Sequence, residues 1–272
     1  MNPFRRLLKS AGHQPPLGCW LQSGSPLMAE AMGHAGFDWG VIDLEHLPPE
    51  TAGITTLLQA LGSSRLLPVL RLGWSDAMLV RRVLDSGAAT LLFSRVRSAA
   101  EAHQAVATTR FPPDGVRGLS EFSRASRFGM LPGPLHSAQP PIGVIVQIDS
   151  AQAVAQIEAI AAVPGIDALF VDPAELATSL GLPGQPLHAQ VLAQTADAVR
   201  RARQLDVPIG TLALTQQAAT RYRAMAFDYL AVASDLGLVM QGAVATLRAL
   251  RTQDGSGHVH TLSHGTHTDS AA

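Results

Sequence analysis

The sequence predicts an α/β fold in which eight parallel strands, each followed by a helix, close into a barrel. Three observations carry that expectation. Eight short apolar runs alternate with helix-period stretches from one end of the chain to the other, and the alternation resumes unchanged after its one long interruption. No G-x-G-x-x-G follows an early strand, as a doubly wound open sheet with a phosphate-binding turn would want. A length of 272 residues suits one barrel, and 47% hydrophobic with only 5% aromatic content suits a core of small aliphatic side chains.

Taken in order, LGCWLQSG (17–24) is the first strand, and SPLMAEAMGHAG is its helix, opening on Ser25 and closing on Gly36. Ser or Thr before a helix and Gly after it are caps in the expected order. FDWGVIDLE (37–45) and RLLPVLRLG (65–73) are the second and third strands, the latter followed by SDAMLVRRVLDSG. AATLLFSRV (88–96) is the fourth, with SAAEAHQAVATTR behind it. IGVIVQID (142–149) is the fifth, with SAQAVAQIEAIAAVPG as its helix, and IDALFVDP (166–173) is the sixth. VPIGTLAL (207–214) with TQQAATRYRAMA, and FDYLAVASD (227–235) with LGLVMQGAVATLRALR, complete the eight.

Residues 110–141, RFPPDGVRGLSEFSRASRFGMLPGPLHSAQPP, are longer than an ordinary strand–helix link. They are expected to be a partly ordered cover or a subunit contact, with Arg117, Ser120, Ser123 and Arg124 as candidates to touch a distal polar group. The barrel is expected over residues 1–251 and a disordered Gly/Ser/Thr/His-rich tail over 252–272. Without fixed geometry, the four tail histidines make at best an adventitious metal site.

A net charge of −1 gives no sign of a surface built for nucleic acid or anionic membrane. Small molecules are the expected partners. The chain has no apolar run of the roughly 18–20 residues a spanning helix needs, and its start lacks a secretory apolar segment. Cys19 is the only cysteine, so intrachain disulfides and thiolate metal clusters are excluded; a cytoplasmic location is expected.

Barrel active sites sit at the C-terminal ends of the strands. There this sequence places Asp43, Glu45 and His46, then Arg71, Gln147 with Asp149, Asp172 with Glu175, and Asp235. Carboxylates from neighbouring strands, with no His-x-x-x-His pattern, suit a hard divalent cation such as Mg²⁺ or Mn²⁺ better than zinc. Each acid alone could equally cap the next helix. Arg71, at the end of a buried strand, needs a carboxylate partner or a ligand anion. His46, preceded by two acids, is a candidate base, and Asp85 is a second possible partner for it or a solvent-facing helix-end acid.

These residues, in FDWGVIDLEH, VLRLGWSD, VLDSGAATLLF, TRFPPDGVRG, VQID and FVDPAELATSLG, resemble the signature segments of the HpcH/HpaI aldolases, the class II pyruvate aldolases. The resemblance runs in order from about Pro3 to Arg251. It implies a modified (β/α)₈ TIM barrel, a homo-oligomer (trimer or hexamer) with the last helix exchanged between subunits, and cleavage of 4-hydroxy-2-oxo acids into pyruvate and an aldehyde. It further implies a divalent cation, Mg²⁺ or Mn²⁺ first and Co²⁺ or Zn²⁺ as alternatives, that binds the 2-oxo acid.

By the same resemblance His46 is the base, with Asp43 beside it and Asp85 as the acid that raises its basicity. Arg71 stabilises the enolate oxygen, Gln147, Ala174 and Asp172 lie at the substrate, and Asp149 and Glu175 are the metal ligands. A Schiff-base route would need a lysine at the site, and the only lysine is Lys9, before the first strand. Two departures stand out. The family pattern reads Q-I-E and G-P-x-D where this chain has QID and DPAE, exchanging the long and short acids. Asp172 also replaces a glycine at a turn whose amides face the pyruvate carboxylate. These departures keep two alternatives open: another lyase, decarboxylase or condensing reaction on a 2-oxo acid, or a catalytically silent metal-binding barrel.

Overall fold

The computed structural model describes residues 1–12, 14–46, 51–73, 75–132 and 141–253. The chain divides into two units, Met1–Leu236 and Gly237–Ala272. The first unit opens with α1 (Pro3–Ser10), capped by the Asn2 side chain, and continues through β1 (Leu17–Leu21), α2 (Pro26–His34), β2 (Trp39–Asp43) and α3 (Thr51–Leu61). β3 (Leu67–Leu72), α4 (Ala77–Asp85), β4 (Thr90–Phe93), α5 (Ala99–Thr109) and β5 (Gly143–Ile148) follow. The expected fifth helix is broken at Gln156 into α6 (Ala151–Ala155) and α7 (Ile157–Ala161). Then come β6 (Ala168–Val171), α8 (Pro173–Ser179), α9 (Ala189–Gln204), β7 (Ile209–Leu212), α10 (Gln216–Ala224) and β8 (Tyr229–Ser234). The last helix, α11 (Asp235–Gln253), carries the chain into the second unit.

All eight strands pair in parallel with their sequence neighbours, and β8 returns to β1, so the barrel closes as expected. Closure leaves two cores. The larger lies between strands and helices and is built mostly of Leu, Val, Ile and Ala. The smaller fills the barrel with Trp20, Trp39, Val41, Val69, Leu92, Ile145, Phe170, Tyr229 and their neighbours. Trp39 and Tyr229 fit because Gly18 and Gly210 stand opposite them; a β-carbon on either glycine would lie 2.3 Å from the facing ring. Phe4 of α1 seals the barrel floor, edge-on to Tyr229 with ring centroids 5.1 Å apart.

The long connection leads from the end of α5 to the start of β5, which puts it at the N-terminal rim of the barrel. Its described part, 110–132, packs there: Val116 N–H donates to the Ala107 carbonyl, Ala125 N–H to the Asp85 carbonyl, and Arg124 Nη1 to the Ser86 carbonyl. It is therefore no cover for the strand ends of its own chain. Arg117 and Ser123 are buried within it, while Val116, Leu119, Phe122, Phe128 and Met130 are exposed. Residues 133–140 and the expected tail, apart from the last turn of α11, lie outside the described residues.

Candidate active site

Side chains alternate across a strand, so the residues that follow the barrel-filling positions point the same way. Trp39 and Val41 lead to Asp43 on β2, and Val69 leads to Arg71 on β3. Ile145 leads to Gln147 and then Asp149 after β5, and Phe170 leads to Asp172 after β6. Four strands thereby deliver polar groups to the C-terminal mouth of one apolar barrel.

Arg71 is the hub. Its Nε and Nη2 bind Asp43 Oδ1 and Oδ2 at 2.9 and 2.5 Å, the two-pronged geometry that planar guanidinium favours. Its Nη1 faces Glu45 at 3.3 Å and Asp172 at 3.8 Å, and its head lies 5.3 Å from the centre of the Trp20 ring. Burial pushes the Asp43 carboxyl up, but the Arg71 hydrogen bonds and charge outweigh it and hold the acid below its usual range. Asp43 also accepts the main-chain N–H of Glu45 and of His46 at 3.1 and 3.4 Å, so it fixes the turn that carries the exposed His46 ring.

Around Asp149 the balance is reversed. Burial pushes its carboxyl up and the charges of Asp172, Glu45 and Glu175 push it further, against a single lowering contact from the Arg95 N–H. Burial likewise raises Asp172, whose Oδ1 caps α8 by accepting from the N–H groups of Ala174 and Glu175 at 3.1 and 3.3 Å. Gln147 is 1% exposed, and its Oε1 meets no donor among the described residues. Asp235 is structural: it accepts the Gln22 and Ser23 N–H groups at 2.9 and 3.0 Å, fastening the end of β1.

Asp43, His46, Arg71, Gln147, Asp149, Asp172, Ala174 and Glu175 thus gather at one rim, and Asp85 does not join them. It ends α4, and a helix that follows one strand and precedes the next finishes at the opposite rim. There Asp85 lies 3.7 Å from both Arg81 and Arg117, and burial raises its carboxyl in spite of them. Arg95 is the residue that sequence reading missed. It follows β4, donates its N–H to Asp149 Oδ2 at 2.8 Å and its Nε to Glu45 Oε1 at 3.1 Å, and sits at φ 59°.

Asp43, Glu45 and Asp172 thus face the Arg71 guanidinium and Glu45 also that of Arg95, while Asp149 meets the Arg95 main-chain N–H and feels the negative charge of Asp172, Glu45 and Glu175. The excess of negative charge around Asp149 is chemistry that suits a divalent cation. Among the described residues no three His, Cys, Asp or Glu side chains form a metal-binding group. The oxygen donors there, Asp149 with Asp172 and Glu175 beside it, suit a hard divalent cation better than a zinc ion.

A family model described as HpcH/HpaI aldolase/citrate lyase matches residues 16–242. The chain belongs to this family. It is 40% identical to the hydroxypyruvate/pyruvate aldolase of Paraburkholderia phytofirmans, over 92% of this chain and 98% of that one. It is 38% identical to the 4-hydroxy-2-oxo-heptane-1,7-dioate aldolase of Salmonella dublin, over 90% and 92%. An HpcH/HpaI aldolase/citrate lyase family protein from Burkholderia cenocepacia superposes with a TM-score of 0.87 at 37% identity, covering 92% of this chain and all of that one. The expected family, barrel and lyase class are borne out. No helix among the described residues is long and apolar enough to cross a membrane.

Proposed function

We propose that this HpcH/HpaI barrel is a class II aldolase, cleaving or forming 4-hydroxy-2-oxo acids with pyruvate as the three-carbon half and an aldehyde as the other. The observation that carries the reading is the charge arrangement at the strand ends: the buried, oriented Arg71 guanidinium at the same rim as Asp149, a carboxyl that burial and three neighbouring acids raise. Asp149 and Glu175 would hold a divalent metal ion, Mg²⁺ or Mn²⁺ by the hardness of their oxygens. When bound, such an ion supplies Lewis-acid polarisation of the 2-oxo acid.

The chain's own groups do the rest. Arg71, kept in place by Asp43, presents positive charge where the enolate oxygen develops, and in a water-poor site such preorganised charge is effective. His46, exposed at the mouth, accepts the proton of the 4-hydroxyl; an imidazole is a suitable base near neutral pH. Gln147 offers a substrate hydroxyl an amide oxygen that meets no donor among the described residues. The only lysine, Lys9, is on α1 outside the strand-end cluster, which argues against a Schiff-base route.

Asp172 favours a second reading on the same scaffold. Its carboxylate already occupies the Ala174 and Glu175 amides, so a substrate carboxylate would have to displace it or bind elsewhere. A decarboxylation or condensation of a 2-oxo acid uses the same metal and Arg71 and tolerates that change.

The chain would act as a homo-oligomer. Along α11, Leu238, Val239, Met240, Val244, Leu247 and Leu250 are exposed, and so are the apolar residues of the 110–132 connection. Asp85 could serve a His46 only from a second copy of the chain. We take residues 1–251 as the catalytic domain, although α11 itself runs to Gln253, and we keep a cytoplasmic location for a chain with a single thiol.

The test is pyruvate release from a panel of 4-hydroxy-2-oxo acids with Mg²⁺, Mn²⁺ or Co²⁺. Wild type should release pyruvate, and His46→Ala should lower kcat by about 10²–10⁴-fold with an unchanged Tm, because the ring is exposed. No pyruvate from any substrate with any of the three ions would overturn the aldolase reading.

A further inference from the structure

Glu45 is a charge that the strand ends do not need for balance. Arg71 is already paired with Asp43 through two of its nitrogens, at 2.9 and 2.5 Å. A further carboxylate adds repulsion, because the charge of Glu45 pushes the Asp149 carboxyl further up. Yet the Glu45 side chain is closely held. It is 11% exposed, and Gly73 makes room for it: a β-carbon at Gly73 would lie 3.2 Å from Glu45 Cγ.

What Glu45 contributes is reach. Its Oε2 lies 3.3 Å from Arg71 Nη1, and its Oε1 lies 3.1 Å from Arg95 Nε. Arg95 in turn donates its main-chain N–H to Asp149 Oδ2 at 2.8 Å. One carboxylate therefore ties the guanidinium of β3 to the turn after β4, and that turn holds the carboxyl after β5. Asp43 makes no such tie, since its oxygens meet Arg71 and the main chain of its own turn.

We propose that Glu45 is a positioning residue, which fixes the Arg71 guanidinium relative to Asp149 so that both sides of the mouth act on one enolate. The proposal rests on the aldolase reading and adds to it a residue that acts through Arg71. An enolate oxygen that meets Arg71, while its molecule is held at the Asp149 side, needs the two at a fixed separation; a misplacement of about 1 Å costs up to about 10²-fold in rate. The unreacted 2-oxo acid needs that match less, because the charge on its oxygen develops only as the enolate forms. Asp43 accepts the main-chain N–H groups of Glu45 and His46, so a change in the Glu45 side chain leaves that turn in place.

Two variants keep the charge and disturb only the bridge. Glu45→Asp shortens the reach by about 1.5 Å, one C–C bond, and cannot span both arginines. Gly73→Ala keeps Glu45 and crowds its Cγ, 3.2 Å from the new methyl group. With pyruvate and Mn²⁺, kcat for exchange of the methyl protons with D₂O should fall about tenfold or more in Glu45→Asp and about threefold in Gly73→Ala. KM for pyruvate should stay within about twofold, and so should the affinity for Mn²⁺ titrated alone. Oxalate, a planar dianion shaped like the enolate, should bind the Mn²⁺-loaded Glu45→Asp about tenfold more weakly than wild type.

A merely structural role predicts instead a lower Tm and similar losses for pyruvate, oxalate and Mn²⁺; that result overturns the proposal. Exchange by Glu45→Asp as fast as by wild type overturns the Glu45 role alone. No exchange by wild type overturns the aldolase reading together with it.

Discussion

Asp43 shows how much one contact decides at the residue scale. A fully buried carboxylate is costly unless it is paired and hydrogen-bonded, and here two guanidinium nitrogens and two main-chain N–H groups do that. Asp43→Asn should destabilise the protein at pH 7 by about 3–5 kcal/mol, read by urea denaturation, because Arg71 is left without its main counter-charge. The sign of the pH dependence follows from the lowered folded-state pKa. Pairing stabilises fully above the unfolded value, about 3.9, and is lost as pH falls through the folded one. The gap between wild type and Asp43→Asn should therefore narrow toward pH 3; a gap constant from pH 7 to 3 contradicts the pairing. The strand-end acids and Arg71 were legible because two-residue alternation carries the inward face past the strand into its last polar residue. Arg95 was not, since its aim depends on a left-handed turn that leaves no motif. Asp85 was legible as an acid, and its place at the rim opposite the strand-end cluster of its own chain follows from its position at the end of a helix.

At the scale of elements, the strands and most helices follow from periodicity and caps, while the filling of the barrel does not. The sequence shows Gly18 and Gly210 as breaks in apolar runs; only the closed barrel shows that each makes room for a ring from the neighbouring strand. Gly18→Ala places a methyl group 2.3 Å from the Trp39 indole, which is buried and cannot retreat. A loss of about 3 kcal/mol is expected, a fall of roughly 6–12 °C in Tm. Gly53 in α3 is the control, with no atom of the described residues within 4 Å of an added β-carbon. Gly53→Ala should stabilise by about 0.5–1 kcal/mol through helix propensity. Equal effects at the two glycines, read by thermal unfolding, would contradict the packing. Helix α1 was missed because eight residues make a short run, although Phe4, Leu7 and Leu8 share one face at helical spacing; it sets Phe4 in the barrel floor, with Leu7 and Leu8 packed against the same core.

In the whole molecule the two rims divide the work. The C-terminal mouth collects carboxylates, two guanidinium groups and an exposed imidazole, while the N-terminal rim carries the long connection and Asp85. The account depends on the mouth being built for a cation at Asp149 and Glu175, and titration of Mn²⁺ into wild type, Asp149→Asn and Glu175→Gln, with Tm recorded before metal is added, tests this most directly. Asp149 is raised by burial and by three neighbouring acids, so removing its charge should relieve repulsion. The prediction is that wild type binds one Mn²⁺ per chain, that each variant weakens it at least about tenfold, and that the metal-free Asp149→Asn is no less stable than wild type. Wild type that binds no Mn²⁺, or variants that bind it as tightly as wild type does, would contradict the account.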